Sequence, residues 1–241
     1  MTVNYKWKEI WENREDHIEN IDKIDPQKLF IELKRIDGFD VVDGGIPYQS
    51  LIDQNTNFLK RLQKYEKISS IFDVGCGCGA NLYLFRRNGL SVGGIDYSGN
   101  LIKIAKKVLQ GEYIELIHDE AINIPEEHKY DSVIANSVFS YFKDESYATT
   151  VLDKMINMST KSIALIDVHN IQKKNDFIDY RRRTTEDYDK KYNGLDKLFY
   201  SKEFFYKYAK LNKLEIDFFD SKVDGYWNNE FVFDVYMYKK G

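Results

Sequence analysis

Residues 71–80 read Ile-Phe-Asp-Val-Gly-Cys-Gly-Cys-Gly-Ala, and few local folds can accommodate that order. Ile71, Phe72 and Val74 form a short apolar run suited to a buried strand. Asp73 falls near the carboxyl end of that strand, where open α/β sheets bind ligands. Gly75, Gly77 and Gly79 then permit a sharp turn and close backbone approach, because no Cβ intrudes. A helix opening at Ala80 would offer its free N–H groups to the same place. The segment therefore predicts strand, glycine loop and helix around a nucleoside cofactor. Gly75-x-Gly77-x-x-Ala80 also fits the dinucleotide fingerprint, with Asp96 at the distance of its ribose acid. A carboxylate at Asp73, however, suits a cationic amino group and would repel a pyrophosphate.

The pattern on either side extends this unit. Strands are expected at 68–74, 91–96, 113–117, 131–135, 162–168, 214–220 and 231–238. Helices starting near Ala80, Ser98, residue 145 and Ser201 intervene, and the serines are suited to N-capping. Strand–helix alternation predicts a doubly wound, mostly parallel sheet. Ahead of it, Pro26 opens a helix with Leu29, Phe30, Leu33 and Ile36 on one face and Gly38 as its stop. Gly44–Pro47 reads as a turn, and a second helix covers 48–65. Residues 1–67 thus form a helical cap, 68–241 the main domain, and about 170–200 an insert on the acceptor side.

In this order the motifs resemble the class I S-adenosylmethionine-dependent methyltransferases, whose first motif is an acid followed by Gly-x-Gly-x-Gly. The resemblance implies a Rossmann-like α/β fold: a seven-stranded, mostly parallel sheet whose last strand runs antiparallel. It implies S-adenosylmethionine as cofactor and S-adenosylhomocysteine as product. The cofactor site would comprise Asp73, Gly75, Cys76, Gly77 and Gly79, with Asp96 accepting from the ribose hydroxyls. Tyr97 either stacks on the adenine or packs as a half-buried ring. Asp119 would accept from the adenine amino group, with Glu120 and Ala121 beside it, and Asn136 and Ser137 would pass the methionine end. On the acceptor side, His169 is either a base or acceptor ligand or a satisfied loop histidine, and Tyr141 either approaches the methyl group or packs in the core. Arg181 and Arg182 either clamp a phosphate or carboxylate or form a solvated helix face. Tyr200 and Tyr226, with Tyr5, Trp7 and Trp11, either line an acceptor pocket between cap and insert or pack in the core.

Composition narrows the acceptor. The net charge of −4 argues against a nonspecific grip on nucleic acid. No apolar run of about 18 residues exists to span a membrane, and the first residues have no signal-peptide core. Cys76 and Cys78, the only cysteines, cannot complete a zinc cluster, so no metal is expected. Free thiols in a cofactor loop suit a reducing cytoplasm, and 27 lysines against 8 arginines hint at a bacterial source. The expectation is a cytoplasmic O-methyltransferase, monomeric or homodimeric, acting on a small polar metabolite. Relatives of this sort serve sugar, capsule or other surface-polysaccharide, or phosphoramidate modification. The rivals are an RNA or protein methyltransferase and a non-catalytic S-adenosylmethionine-binding partner subunit.

Overall fold

The computed structural model describes residues 5–19, 21–39, 41 and 45–240. Seven strands form one sheet: β1 (Ser70–Val74), β2 (Ser91–Asp96), β3 (Glu115–His118), β4 (Tyr130–Asn136), β5 (Ser159–His169), β6 (Glu215–Asp220) and β7 (Val232–Tyr238). Their spatial order is β3-β2-β1-β4-β5-β7-β6. Strands β1 to β5 pair in parallel, and β7 inserts antiparallel between β5 and β6. The order reverses between β1 and β4, which opens a crevice at the carboxyl ends of these strands.

The pleat of β1 sorts its side chains by face. Phe72 and Val74 join a core with Val151 and Met155 of the helix α6 (Glu145–Met158). Ile71 faces the other way, towards Phe85 of α4 (Ala80–Arg87) and Ile102 of α5 (Gly99–Leu109). Burial of a side chain such as Phe72 stabilises the fold by about 1.5–3 kcal/mol. Ser98 caps α5 by accepting from the Leu101 N–H at 3.2 Å, and Ser201 caps a helix at Lys202–Leu211 in the same manner.

The amino-terminal segment contributes α1 (Tyr5–Glu12), α2 (Pro26–Ile36) and α3 (Tyr48–Leu62). It does not stand apart from the sheet domain. Leu29, Phe30, Leu33 and Ile36 share a core with Ala80, Leu84, Leu101, Ile104 and Val108. The turn expected at Gly44–Pro47 begins outside the described residues. The insert is helical, with α7 (Lys174–Thr184) followed by α8 (Tyr188–Lys191); the final helix Lys202–Leu211 is α9.

Candidate active site

The glycine loop is pinned by backbone and by two carboxylates. The N–H groups of Gly75 and Cys76 both donate to the Ile95 carbonyl, at 2.7 and 3.1 Å. Gly77 N–H donates to Asp96 Oδ2 at 2.9 Å, and Cys78 N–H donates to Asp37 Oδ1 at 2.8 Å. Gly77 adopts φ +55°, and a Cβ there would lie 2.3 Å from Asp37 Oδ1. Only glycine meets both conditions without strain. Asp37, just beyond α2, thus braces the loop from the helical segment. The sequence reading did not single it out.

A cavity opens over this loop. Gly75, Cys76 and Gly77 form its floor, Asp96, Tyr97 and Leu101 one side, and Glu120, Ala121, Asn136 and Ser137 the other. Trp7, Trp11 and Tyr141 close it, with Trp7 and Tyr141 edge to face at 4.8 Å. Asp96 also accepts from Ser98 N–H at 2.8 Å, and burial pushes its carboxyl up to about 6. Asp119 stands outside the lining. It is exposed and accepts from Glu120 N–H and the Asn123 amide, which hold it below the usual carboxylate range. Gly79 caps α4 in the left-handed region and does not line the cavity.

Behind the loop lies a cluster of buried charge. Asp73 is 1% exposed, and neither of its oxygens has a hydrogen-bond partner among the described residues. Burial pushes its carboxyl up to about 8, against the pull of the Asn81 amide and the Lys34 charge. Lys34, on α2, is itself buried and donates to Asn81 Oδ1 at 2.9 Å. Its ammonium sits 4.4 Å from the Phe39 ring centroid, and burial lowers its pKa. Lys34 and Asn81 both line the cavity. An unpartnered buried carboxylate is costly unless a cation meets it. Asp73 itself lies outside the lining and Lys34 within it; their charges complement the ammonium and the carboxylate at the amino-acid end of S-adenosylmethionine.

A second, larger chamber adjoins the first, and Trp7, Trp11, Asp37, Phe39, Ser137 and Tyr141 line both. His169 lies at its base, 2% exposed, boxed edge-on by Phe177 and Phe199 at 4.9 and 5.2 Å. Burial depresses its imidazole well below the ordinary range. Arg181 points into the chamber, donating to Tyr192 Oη at 2.8 Å and lying 4.9 Å from the Trp227 ring. Arg182 sits exposed at the rim, paired with Asp189 at 3.1 Å. Tyr226 lines the chamber and donates to Asp167, at 2.9 Å from both carboxylate oxygens. Tyr200 is a correction: it is fully buried among Phe139, Phe204 and Phe205. Its hydroxyl donates to the Phe139 carbonyl, so it is a core residue and not part of an acceptor pocket. The side chain of Tyr5 lies outside the described residues. Among the described residues, no cluster of three or more His, Cys, Asp or Glu is arranged to hold a metal ion.

Comparison with known proteins bears on the domain and the fold. Residues 71–161 match a family described as methyltransferase domain. A curated relative, the malonyl-acyl-carrier-protein O-methyltransferase of Priestia megaterium (strain DSM 319 / IMG 1521), is 26% identical over 120 residues. The match covers 49% of this chain and 41% of that protein, so the chain spans less than half the length of that relative. Among solved structures, the magnesium protoporphyrin IX methyltransferase of Synechocystis PCC 6803 with bound S-adenosylmethionine superposes with a TM-score of 0.62 at 12% identity, covering 100% of this chain and 98% of that one. The plantazolicin methyltransferase in complex with a substrate analogue and S-adenosylhomocysteine gives 0.63 at 16%, covering 98% and 99%. The N-methyltransferase NodS of Bradyrhizobium japonicum, with S-adenosylhomocysteine, gives 0.62 at 11%, with full coverage of both chains. Residues 71–161 therefore match a methyltransferase domain, and the fold of the chain is that of the class I S-adenosylmethionine-dependent methyltransferases.

Proposed function

We propose that the protein transfers a methyl group from S-adenosylmethionine to an oxygen of a small polar acceptor that carries a sugar or a phosphate. The observation that carries this reading is the junction of the two cavities. The cofactor-side cavity contains the Gly75–Gly77 loop, Asp96 and Lys34, and it meets the acceptor chamber at Trp7, Trp11, Ser137 and Tyr141. Asp96 would hold the ribose hydroxyls by charge-assisted hydrogen bonds. Tyr97, Leu101 and Ala121 would flank the adenine, and Asp73 with Lys34 would fix the amino-acid end. The bound cofactor supplies a methyl group already activated on a sulfonium.

The chain's own contribution is then alignment and exclusion of water, which can supply roughly 7–11 kcal/mol of barrier reduction. Trp7, Trp11 and Tyr141 form the lid that does this. The acceptor side combines aromatic faces with cations that have no carboxylate partner among the described residues. Lys197 lies 4.5 Å from the Tyr141 ring, and Arg181 faces Trp227. Such surfaces suit sugar faces and phosphate groups, which also fits a role in surface-polysaccharide modification in a bacterial cytoplasm. His169 is walled in edge-on by Phe177 and Phe199, and burial makes its imidazole a poor proton acceptor, so we assign it to the chamber wall.

Isothermal calorimetry with S-adenosylhomocysteine tests the cofactor half. The reading requires saturable one-to-one binding that Asp96→Ala weakens. Absence of binding, with reduced nicotinamide cofactor binding in its place, would sink it.

A further inference from the structure

We propose that Asp167 is the catalytic residue that binds the acceptor's hydroxyl and receives its proton. The assignment rests on the methyltransferase reading above.

Three observations converge on Asp167. The first is the backbone. Pairing of β5 with β7 runs through Leu165↔Val235 and resumes at Val168↔Phe233, so β5 carries one extra residue. This is a β-bulge, a device that re-aims a side chain near a functional site. Leu165 and Val168 accordingly share one core while Ile166 faces the other. Asp167 takes φ +63°, and Ser137, one residue past the neighbouring strand β4, takes φ +59°. Two non-glycine residues in the left-handed region, side by side at the sheet's carboxyl edge, mark strain of the kind that active sites retain. Asp234 on β7 holds the bulge by accepting from Asp167 N–H at 3.2 Å, and Arg61 backs Asp234 at 3.3 Å.

The second observation is the hydrogen count around the carboxylate. Ser137 Oγ donates to Asp167 Oδ2 at 2.7 Å, but its single hydrogen is shared with Asn136 Oδ1 at 3.1 Å. The Tyr226 hydroxyl offers one hydrogen at 2.9 Å from both oxygens. The Asn228 amide supplies a third, at 3.3 Å. An ionised carboxylate has about four lone-pair sites, so one acceptor position stays open. The third is placement: Asp167 is buried yet lines the acceptor chamber beside Ser137, which also lines the cofactor cavity.

The acceptor's O–H proton passes to Asp167 as the oxygen lone pair forms its bond to the methyl carbon. The methyl carbon–sulfur bond breaks with its electron pair staying on sulfur, which gives neutral S-adenosylhomocysteine. The sulfonium's positive charge and the carboxylate's negative charge disappear together, and the carboxylic acid returns its proton to solvent after the product leaves. Several groups face Asp167. Burial raises its carboxyl, while Ser137, Tyr226, Asn228 and the Lys197 ammonium draw it back down. Lys34 from α2 and Asp234 from β7 also interact with it electrostatically. His169 does not take its place, because burial and the Lys197 charge lower its proton affinity and its Nε2 faces the Asn228 amide at 3.5 Å.

The test uses the full chain, methyl-labelled S-adenosylmethionine and the small-molecule fraction of a source-cell extract as acceptor, with the rate followed against pH. Wild-type rate should rise along an acid limb set by one ionisation. Asp167→Asn, which preserves shape, should lower transfer about 10²–10⁴-fold while S-adenosylhomocysteine affinity and melting temperature hold. Retention of the wild-type rate and pH profile by Asp167→Asn overturns the assignment alone. Absence of transfer by wild-type protein that binds cofactor overturns the transferase reading, and the assignment with it. If Asp167→Asn fails to fold, Tyr226→Phe decides. Loss of that donor should move the acid limb to higher pH, and an unmoved limb contradicts the proposal.

Discussion

Raising the pH from 6 to 8 should tighten binding of S-adenosylhomocysteine, and Asp73→Asn should remove most of the effect, leaving the smaller share that Asp96, at about 6, contributes. The magnitude follows from the carboxyl of Asp73, which burial pushes up to about 8. With that value, about one molecule in a hundred has Asp73 ionised at pH 6 and about half do at pH 8. If the ligand's ammonium binds only the ionised form, apparent affinity rises about fifty-fold, or about 2.3 kcal/mol. At pH 7 roughly nine-tenths of a proton should leave per molecule bound. Titrations in two buffers of different protonation enthalpy read that number directly. The sign for the free protein is opposite. Because folding raises this carboxyl, the folded state binds more protons between about pH 4 and 8, so stability falls as pH rises through that window. Melting temperature should therefore decline across it in wild type and less so in Asp73→Asn. Affinity that is flat from pH 6 to 8 in wild type, or an equal slope in Asp73→Asn, would refute the pairing of Asp73 with the ammonium.

Three further outcomes follow from the same geometry. Asp96→Ala removes the acceptor of the Gly77 and Ser98 N–H groups and should weaken cofactor binding by roughly 1.5–3 kcal/mol in calorimetry. Gly77→Ala places a Cβ 2.3 Å from Asp37 Oδ1 at φ +55°; thermal unfolding should show a loss on the order of 1–2 kcal/mol, with weaker cofactor binding. Tyr200→Phe deletes a buried hydroxyl that donates to the Phe139 carbonyl at 2.9 Å. It should cost about 1–2 kcal/mol of stability and leave the KM for the acceptor unchanged, and a raised KM would return Tyr200 to the pocket.

Local signals carried much of this fold. The run from Ile71 to Ala80 specified its strand, loop and helix because each step demands a particular residue type. Ser98 and Ser201 marked helix starts because a capping hydroxyl needs only its own next turn. Lys34 and Asp37 were not legible. On α2 and just past its end they read as ordinary polar positions beside the Leu29, Phe30, Leu33 and Ile36 stripe, and only tertiary packing brings them to the loop about forty residues on. Tyr200 misled for a related reason: an aromatic cluster looks the same in sequence whether it lines a pocket or fills a core. Asp167 did leave a trace, as an acid interrupting the apolar run Ile163-Ala-Leu-Ile. The bulge that turns it towards the chamber depends on pairing with β7, nearly seventy residues away.

Incubating the purified chain with methyl-labelled S-adenosylmethionine and whole source-cell extract, then separating label by molecular size, tests the central claim most directly. The account predicts enzyme-dependent label in the small-molecule fraction, reduced by Asp96→Ala. Label confined to RNA or protein, or none at all from protein that binds the cofactor, would contradict it.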